Sequence, residues 1–121
     1  GTTHEVPAAM LLVLNCGKLL PGFINIRPGL VPDDGWFDIV AVSADGALES
    51  ATAVIELLFG RKSKGRRVWW SRGRNIRIEL PGHAPRPVQL DGEVFGTTPF
   101  EARLLSGALP VLVGPEFQAH R

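Results

Sequence analysis

Apolar residues recur at every second position through much of the second half of this 121-residue chain. The segments Ile76–Leu80, Val88–Leu90 and Phe100–Leu104 all show this alternation. Side chains on a β-strand point alternately to its two faces, so a period of two is typical of half-buried strands. Fourteen glycines and ten prolines separate short segments of this kind. The pattern predicts a mainly β fold, either an antiparallel β-sandwich or a barrel-like sheet.

Three further segments are predicted to form strands. Ala8–Leu14 is a short apolar run whose length suits a buried strand better than a helix. Trp36–Val42 follows a loop rich in proline and glycine and is rich in β-formers. Leu109–Val113 is the last such segment, and its Pro110 restricts the predicted strand to an edge or an end of the sheet.

One segment has a different period and is predicted to be the single inserted α-helix. Its apolar residues Leu48, Ala51, Ile55 and Leu58 recur at helical spacing, and Gly60 follows as a stop signal. A chain of this length is one domain by the usual size of domains, so residues 1–121 are expected to form a single unit.

Composition excludes several classes of protein. The chain has 45% hydrophobic and 21% charged residues, as a folded globular domain does and a disordered chain does not. The sequence contains neither an apolar run that could span a bilayer nor a signal peptide. Cys16 is the only cysteine, so no internal disulfide can form, and the three histidines lack the spacing of a zinc site. We therefore expect a cytoplasmic domain.

Two acidic motifs are candidates for chemistry. Asp91 and Glu93 flank Gly92 after strand-like sequence. On one extended strand they would point to the same side, where such a pair can accept a proton or hold a metal. The alternative is a solvated hairpin turn, since carboxylates are mostly exposed.

The second motif is the acidic turn, Asp33-Asp34-Gly35, which ends a loop that begins at Pro28. Asp and Gly are common turn formers. A carboxylate with backbone carbonyls on either side is also what Mg²⁺ or Ca²⁺ prefers as ligands. The residues alone leave a plain turn and a metal site both open.

Basic residues concentrate between Arg61 and Arg74, and no acid falls between Glu56 and Glu79. Trp69 and Trp70 lie within this segment and would point to opposite faces of a strand, one of them into the core. Such a segment can face a phosphate-rich partner, either a nucleic acid or an anionic membrane, or can simply be solvated. Its seven cations are Arg61, Lys62, Lys64, Arg66, Arg67, Arg72 and Arg74.

The order of these features resembles the C-terminal domain of the diacylglycerol kinase and sphingosine kinase superfamily, in its bacterial lipid kinase branch. The features are Asn15, the loop into the acidic turn, the strand Trp36–Val42, the helix with its basic continuation, and Leu90–Glu93. The resemblance extends roughly from Val6 to Gly114. Relatives carry a run of glycines after the Asn-Gly segment, whereas Lys18–Phe23 is mostly apolar here.

The resemblance implies a two-domain kinase that uses ATP to phosphorylate a lipid hydroxyl, with a diacylglycerol-like substrate. This chain would be its C-terminal β-sandwich domain, and the Gly-Gly-Asp-Gly-Thr signature of the N-terminal nucleotide-binding domain has no counterpart in it. The 121 residues alone are therefore expected to be inactive.

The resemblance also implies roles for individual residues. A structural Mg²⁺ would be held by the Asp34 side chain and by the backbone carbonyls of Val31 and Trp36. Either Asp91 or Glu93 would be the base that accepts the hydroxyl proton, and the choice between them stays open.

The basic segment has two interpretations. In a lipid kinase its cations would hold the enzyme against the anionic inner face of the membrane, and no nucleic acid would be expected. The alternative is a β-domain without enzymatic activity that binds nucleic acid or an anionic surface through Arg61–Arg74. The resemblance favours lipid, with Arg61, Lys62, Lys64, Arg66 and Arg67 as the contacts.

Overall fold

A computed structural model of the chain describes residues 1–15, 18–20, 24–25, 34–43 and 68–115. Within these residues all regular secondary structure is β, and every pair of strands is antiparallel. The mainly β antiparallel fold predicted from the sequence is therefore confirmed. The strands are β1 (Met10–Leu14), β2 (Lys18–Leu20), β3 (Ile24–Asn25), β4 (Phe37–Val42), β5 (Val68–Gly73), β6 (Asn75–Ile78), β7 (Pro87–Leu90), β8 (Glu93–Thr97) and β9 (Phe100–Arg103).

Some predicted features lie outside the described residues. They are the helix predicted around Leu48–Leu58, the proposed metal ligand Val31, and the five proposed membrane contacts Arg61, Lys62, Lys64, Arg66 and Arg67. Among the residues that the structure does describe, no helix is long and apolar enough to cross a membrane.

The core lies on one face of a three-stranded sheet in the order β1-β4-β5. Val40 and Val42 of the central strand are fully buried, and burial of each such side chain contributes about 1.5–3 kcal/mol. Alternation along β4 places both valines on the same face as Asp38. Half-buried apolar side chains from both neighbouring strands pack against the two valines: Met10, Leu12, Leu14, Val68 and Trp70.

The last row across this face is polar. Register pairs Asp38 of β4 with Leu14 on one side and with Arg72 on the other. Asp38 is only 3% exposed, so the apolar rows of the core end at a buried carboxylate. This row lies at the end of the sheet that is next to the acidic turn, which precedes β4 in the chain.

The opposite face of the sheet carries Trp69. Its ring lies 5.1 Å from that of His4, centroid to centroid, at an interplanar angle of 56°. The segment from Thr3 to Pro7 borders a groove of about 430 Å³ there, together with Ala41, Ser43 and Trp69. The two tryptophans thus lie on opposite faces as predicted, with Trp70 packed against the core and Trp69 half-buried beneath His4.

Two smaller antiparallel pairs follow the sheet in the chain. β5 passes into β6 at Gly73, where a Cβ atom would lie 2.9 Å from Cγ2 of Ile76, so any larger residue would displace Ile76 or the backbone. β6 pairs with β9, and β7 pairs with β8 as a hairpin. A short pair of β2 and β3 lies earlier in the chain, in the loop that the sequence left without a predicted strand.

The strand predicted at Leu109–Val113 is wrong. These residues form no strand and pair with no other segment among the described residues. Pro110 has no N–H to donate, and the flanking side chains are exposed, from 53% at Val113 to 103% at Leu112. The apolar composition of this segment predicts a strand, but composition does not specify which strand it would pair with.

Candidate functional site

The acidic turn is built by its own sequence. Oδ1 of Asp34 accepts a hydrogen bond from the backbone N–H of Trp36 at 3.0 Å. This bond from an Asp side chain to the backbone two residues later is a common turn motif. Gly35 between them has a positive φ of 76°. The turn predicted from Asp and Gly is confirmed, and it leads directly into β4.

Arg72 joins the acidic turn to the buried end of β4. Its Nε donates to Oδ1 of Asp38 at 2.9 Å, and its Nη2 donates to Oδ2 at 3.3 Å. Nη2 also lies 3.3 Å from Oδ2 of Asp34. A two-point contact between a guanidinium and a carboxylate fixes orientation as well as distance. Arg72 therefore holds both carboxylates in one arrangement.

Burial and charge are uneven within this cluster. The side chains of Asp38 and Asp34 are 5% and 20% exposed, whereas that of Arg72 is 43% exposed. The pKa of Arg72 is raised above its ordinary value, chiefly by the hydrogen bond to Asp38. Partial burial opposes this shift, and the charges of Asp38 and Asp34 add to it. The guanidinium is therefore a permanent cation between two carboxylates.

Arg74, which follows Gly73 in the chain, contacts the same turn. Its Nε donates to the carbonyl oxygen of Gly35 at 3.1 Å. Its guanidinium carbon lies 4.5 Å from the centroid of the Trp36 ring, an attractive arrangement of a cation over an aromatic face. Arg72 and Arg74, hereafter the arginine pair, thus hold the acidic turn against the end of β5.

The donor set of the turn can be compared with what Mg²⁺ requires. A carboxylate has about four acceptor positions, and Asp34 uses one for Trp36 N–H while a second oxygen faces Arg72. Acceptor capacity thus remains for a hard cation, which takes oxygen ligands. Asp34 fits as a single side-chain ligand, although Arg72 already offsets much of its charge. No group of three or more His, Cys, Asp or Glu side chains suited to a metal occurs in the described part of the chain.

Asp91 and Glu93 lie at the end of the hairpin formed by β7 and β8. Leu90 pairs with Glu93, so Asp91 and Gly92 form a two-residue turn, with φ of 49° and 91°. Positive φ at both positions is the requirement of a type I′ turn, for which Asp-Gly is a favoured dipeptide. The two carboxylates therefore do not lie on one strand, which corrects the geometry considered from the sequence.

The hairpin tip, residues Asp91, Gly92 and Glu93, is exposed. Neither carboxylate has a side-chain hydrogen bond or an ion pair to any residue that the structure describes. Apolar side chains next to the tip are also exposed, with Leu90 at 59%, Val94 at 70% and Phe95 at 77%. The tip thus presents two unengaged carboxylates beside apolar surface.

Comparison with known protein families identifies the fold. A family model described as the YegS C-terminal NAD kinase beta sandwich-like domain matches residues 1–113. The chain belongs to this family. No curated protein and no solved structure gave a match. The chain is thus the β-sandwich-like domain of a kinase family, as the resemblance implied at the level of the superfamily.

In this YegS-type domain the predicted site residues fall into two separate places. Asp34 and Trp36 lie together at the start of β4, and the arginine pair joins them. Asp91 and Glu93 lie on the β7–β8 hairpin, in a different sheet. Arg72 and Arg74, which the sequence left open between a phosphate-rich partner and solvated cations, both contact the acidic turn.

Sequence reasoning missed Asp38 as part of the site, although a signal was present. Asp38 shares its strand face with Val40 and Val42, so an ionisable residue occupied a position predicted to be buried. A buried carboxylate requires a partner. Arg72 has the same relation to Val68 and Trp70 on β5. An acid and a base at inward positions of two apolar strands predict an ion pair.

Proposed function

We propose that this domain is the acceptor-side domain of an ATP-dependent lipid kinase, and that a carboxylate of the hairpin tip accepts the proton of the lipid hydroxyl. Membership of a kinase family supports phosphoryl transfer as the reaction. The observation that carries the catalytic assignment is that the carboxylates of Asp91 and Glu93 contact no polar side chain within the part of the chain that the structure describes. The whole chain would act as one C-terminal domain.

A hydroxyl is a weak nucleophile, and its proton must leave as the new P–O bond forms. Phosphoryl transfer depends mainly on positioning and charge stabilisation, and a carboxylate that accepts this proton adds about 10²–10⁴ in rate. Asp34 and Asp38 are engaged by Arg72, whereas the two tip carboxylates contact no other polar side chain among the described residues.

A lipid substrate is supported by the surroundings of the tip. Leu90, Val94 and Phe95 expose large apolar side chains directly beside the two carboxylates. Leu90 pairs with Glu93 across the hairpin, so these two side chains share one face, and exposed apolar surface of this kind favours an apolar partner. An acyl chain lying along this surface would bring the hydroxyl of a diacylglycerol-like lipid toward the tip.

The remaining components complete the proposal. ATP would be bound by an N-terminal nucleotide-binding domain, so the 121-residue chain alone would be inactive. Mg²⁺ would be held by the Asp34 side chain with the backbone carbonyls of Val31 and Trp36. The enzyme would be cytoplasmic and peripheral to the inner face of the membrane, with Arg61, Lys62, Lys64, Arg66 and Arg67 as contacts to anionic lipid.

The test is the transfer of phosphate from ATP to diacylglycerol in mixed micelles by the two-domain enzyme. Asp91→Asn and Glu93→Gln each remove one candidate base at constant size. We expect the variant that lacks the base to lose about 10²–10⁴ in kcat with ATP binding unchanged. The other variant should be affected less, which identifies the base.

Glu101→Gln is the matched control, because Glu101 is another exposed carboxylate but lies on β9 and is paired with Arg77. Its turnover should equal that of the wild type. Wild-type turnover in both tip variants would remove the catalytic assignment. Loss of ATP binding in the tip variants would instead indicate a role in the nucleotide site.

A further inference from the structure

The acidic turn already has a side-chain cation beside it. The Asp34 carboxylate, proposed above as a magnesium ligand, already lies 3.3 Å from Nη2 of Arg72. We propose that Arg72 is a positioning residue that holds the acidic turn in shape without a divalent cation and lowers the affinity of the turn for Mg²⁺. This inference rests on the part of the proposed function that assigns Mg²⁺ to Asp34.

The position of Arg72 is itself fixed by a buried group. Asp38 has a 5% exposed side chain and receives two hydrogen bonds from the Arg72 guanidinium. Because these two residues are directly opposite each other on β4 and β5, the sheet register also aligns them. The guanidinium therefore cannot move far from Asp34 without leaving a buried carboxylate unpaired, which is costly.

A cation fixed in this way does two things to the turn. Its single positive charge lies between Asp34 and Asp38 and offsets their mutual repulsion when no metal is present, although the three groups together keep one negative charge. It also repels a second cation that approaches Asp34, since like charges within a few ångströms disfavour each other even near a protein surface. Arg74 adds contacts to Gly35 and Trp36 that likewise involve no metal.

The control is present in the same molecule. Arg77 also contacts two carboxylates, those of Glu79 and Glu101, but all three side chains are more than half exposed. A surface cluster of this kind contributes little to stability. Arg77→Gln therefore removes an arginine with two acidic partners without touching the acidic turn.

The experiment measures thermal unfolding of the full chain in EDTA and in Mg²⁺, and Mg²⁺ binding by calorimetry. We expect the Tm of the wild type and of Arg77→Gln to differ much less between EDTA and Mg²⁺ than that of Arg72→Gln, because a weakly bound ion stabilises the native state only slightly. Arg72→Gln should have a lower Tm in EDTA, should regain part of the difference in Mg²⁺, and should bind Mg²⁺ at least about tenfold more tightly than the wild type does. Arg72→Lys keeps the charge and should remain independent of metal even if Arg72→Gln fails to fold.

Two results would overturn the inference. One is a fall in the Tm of the wild type on addition of EDTA that is as large as the fall in Arg72→Gln, which would mean that a metal holds the turn. The other is equal Mg²⁺ affinity in the wild type and in Arg72→Gln, or in another folded variant that has no charge at position 72. Asp34→Asn, which lacks the proposed ligand, is the reference for lost binding. Neither readout depends on lipid phosphorylation, so failure here is distinguishable from failure of the catalytic assignment at the hairpin tip.

Discussion

Two described turns of this domain contain the same dipeptide, Asp-Gly, and differ in what surrounds it. At Asp34-Gly35 only the glycine has a positive φ, and the carboxylate is held by a backbone N–H and by Arg72. At Asp91-Gly92 both residues have a positive φ, and the carboxylate has no polar partner among the described residues. The dipeptide makes a turn in both places, but the neighbouring strand decides whether its carboxylate is structural or available for chemistry.

The difference predicts opposite responses to mutation. Substitutions at the acidic turn and its partners should lower stability, whereas those at the hairpin tip should lower turnover and leave stability unchanged. The predictions below run from the largest expected effect on stability to the smallest.

Asp38→Ala should have the largest effect on stability. It leaves the partly buried Arg72 without its two-point partner at the end of the core face. Removal of one member of a fully buried ion pair costs about 3–5 kcal/mol, and the partial exposure of Arg72 reduces our expectation to about 2–3 kcal/mol. Urea unfolding measures the loss. A change no larger than that of Glu101→Ala on the exposed cluster would contradict the structural role of Asp38.

Gly73→Ala should come next. The new Cβ would lie 2.9 Å from Cγ2 of Ile76, at the residue between the two members of the arginine pair. Relief of this contact requires movement of Ile76 or of the backbone, and overpacking of this kind costs about 1–3 kcal/mol. Gly96→Ala on β8 is the control, since its Cβ would meet nothing within 4 Å. Equal unfolding free energies for the two variants would show that the passage from β5 to β6 is not tightly constrained.

The sequence predicts that both turns form, but it does not predict the strand pairing that makes them differ. The period of two predicts β6, β7 and β9, whereas β1 follows from a short apolar run and β4 from β-forming residues after a turn. The turns at Asp34 and Asp91 followed from local chemistry. Strand pairing was not local information, so the alignment of Asp38 with Arg72 became evident only from the register.

Two segments show where a pattern of apolar or alternating residues stops predicting the structure. At Leu109–Val113 the residues are apolar, but nothing in the segment specifies a partner strand, and the structure gives it none. At Asp91–Glu93 the structure shows the hairpin turn rather than a single strand, because positive φ angles interrupt the alternation. A periodic pattern predicts which side a residue faces only while the backbone stays extended.

Asp91→Asn and Glu93→Gln should have the smallest effect on stability. Asn is at least as suitable as Asp for a type I′ turn, and Glu93 is exposed. Surface substitutions away from specific contacts usually change the unfolding free energy by less than about 0.5 kcal/mol. Urea unfolding of each variant provides the measurement. A loss comparable with that of Asp38→Ala would mean that the tip carboxylates are engaged in the fold.

The central claim is that the hairpin tip carries the base and the acidic turn carries structure. The most direct measurement is lipid phosphorylation by the two-domain enzyme with Asp91→Asn and Glu93→Gln combined, alongside its thermal unfolding. The account predicts at least about a hundredfold loss of kcat with an unchanged Tm. Wild-type turnover in the double variant would contradict it.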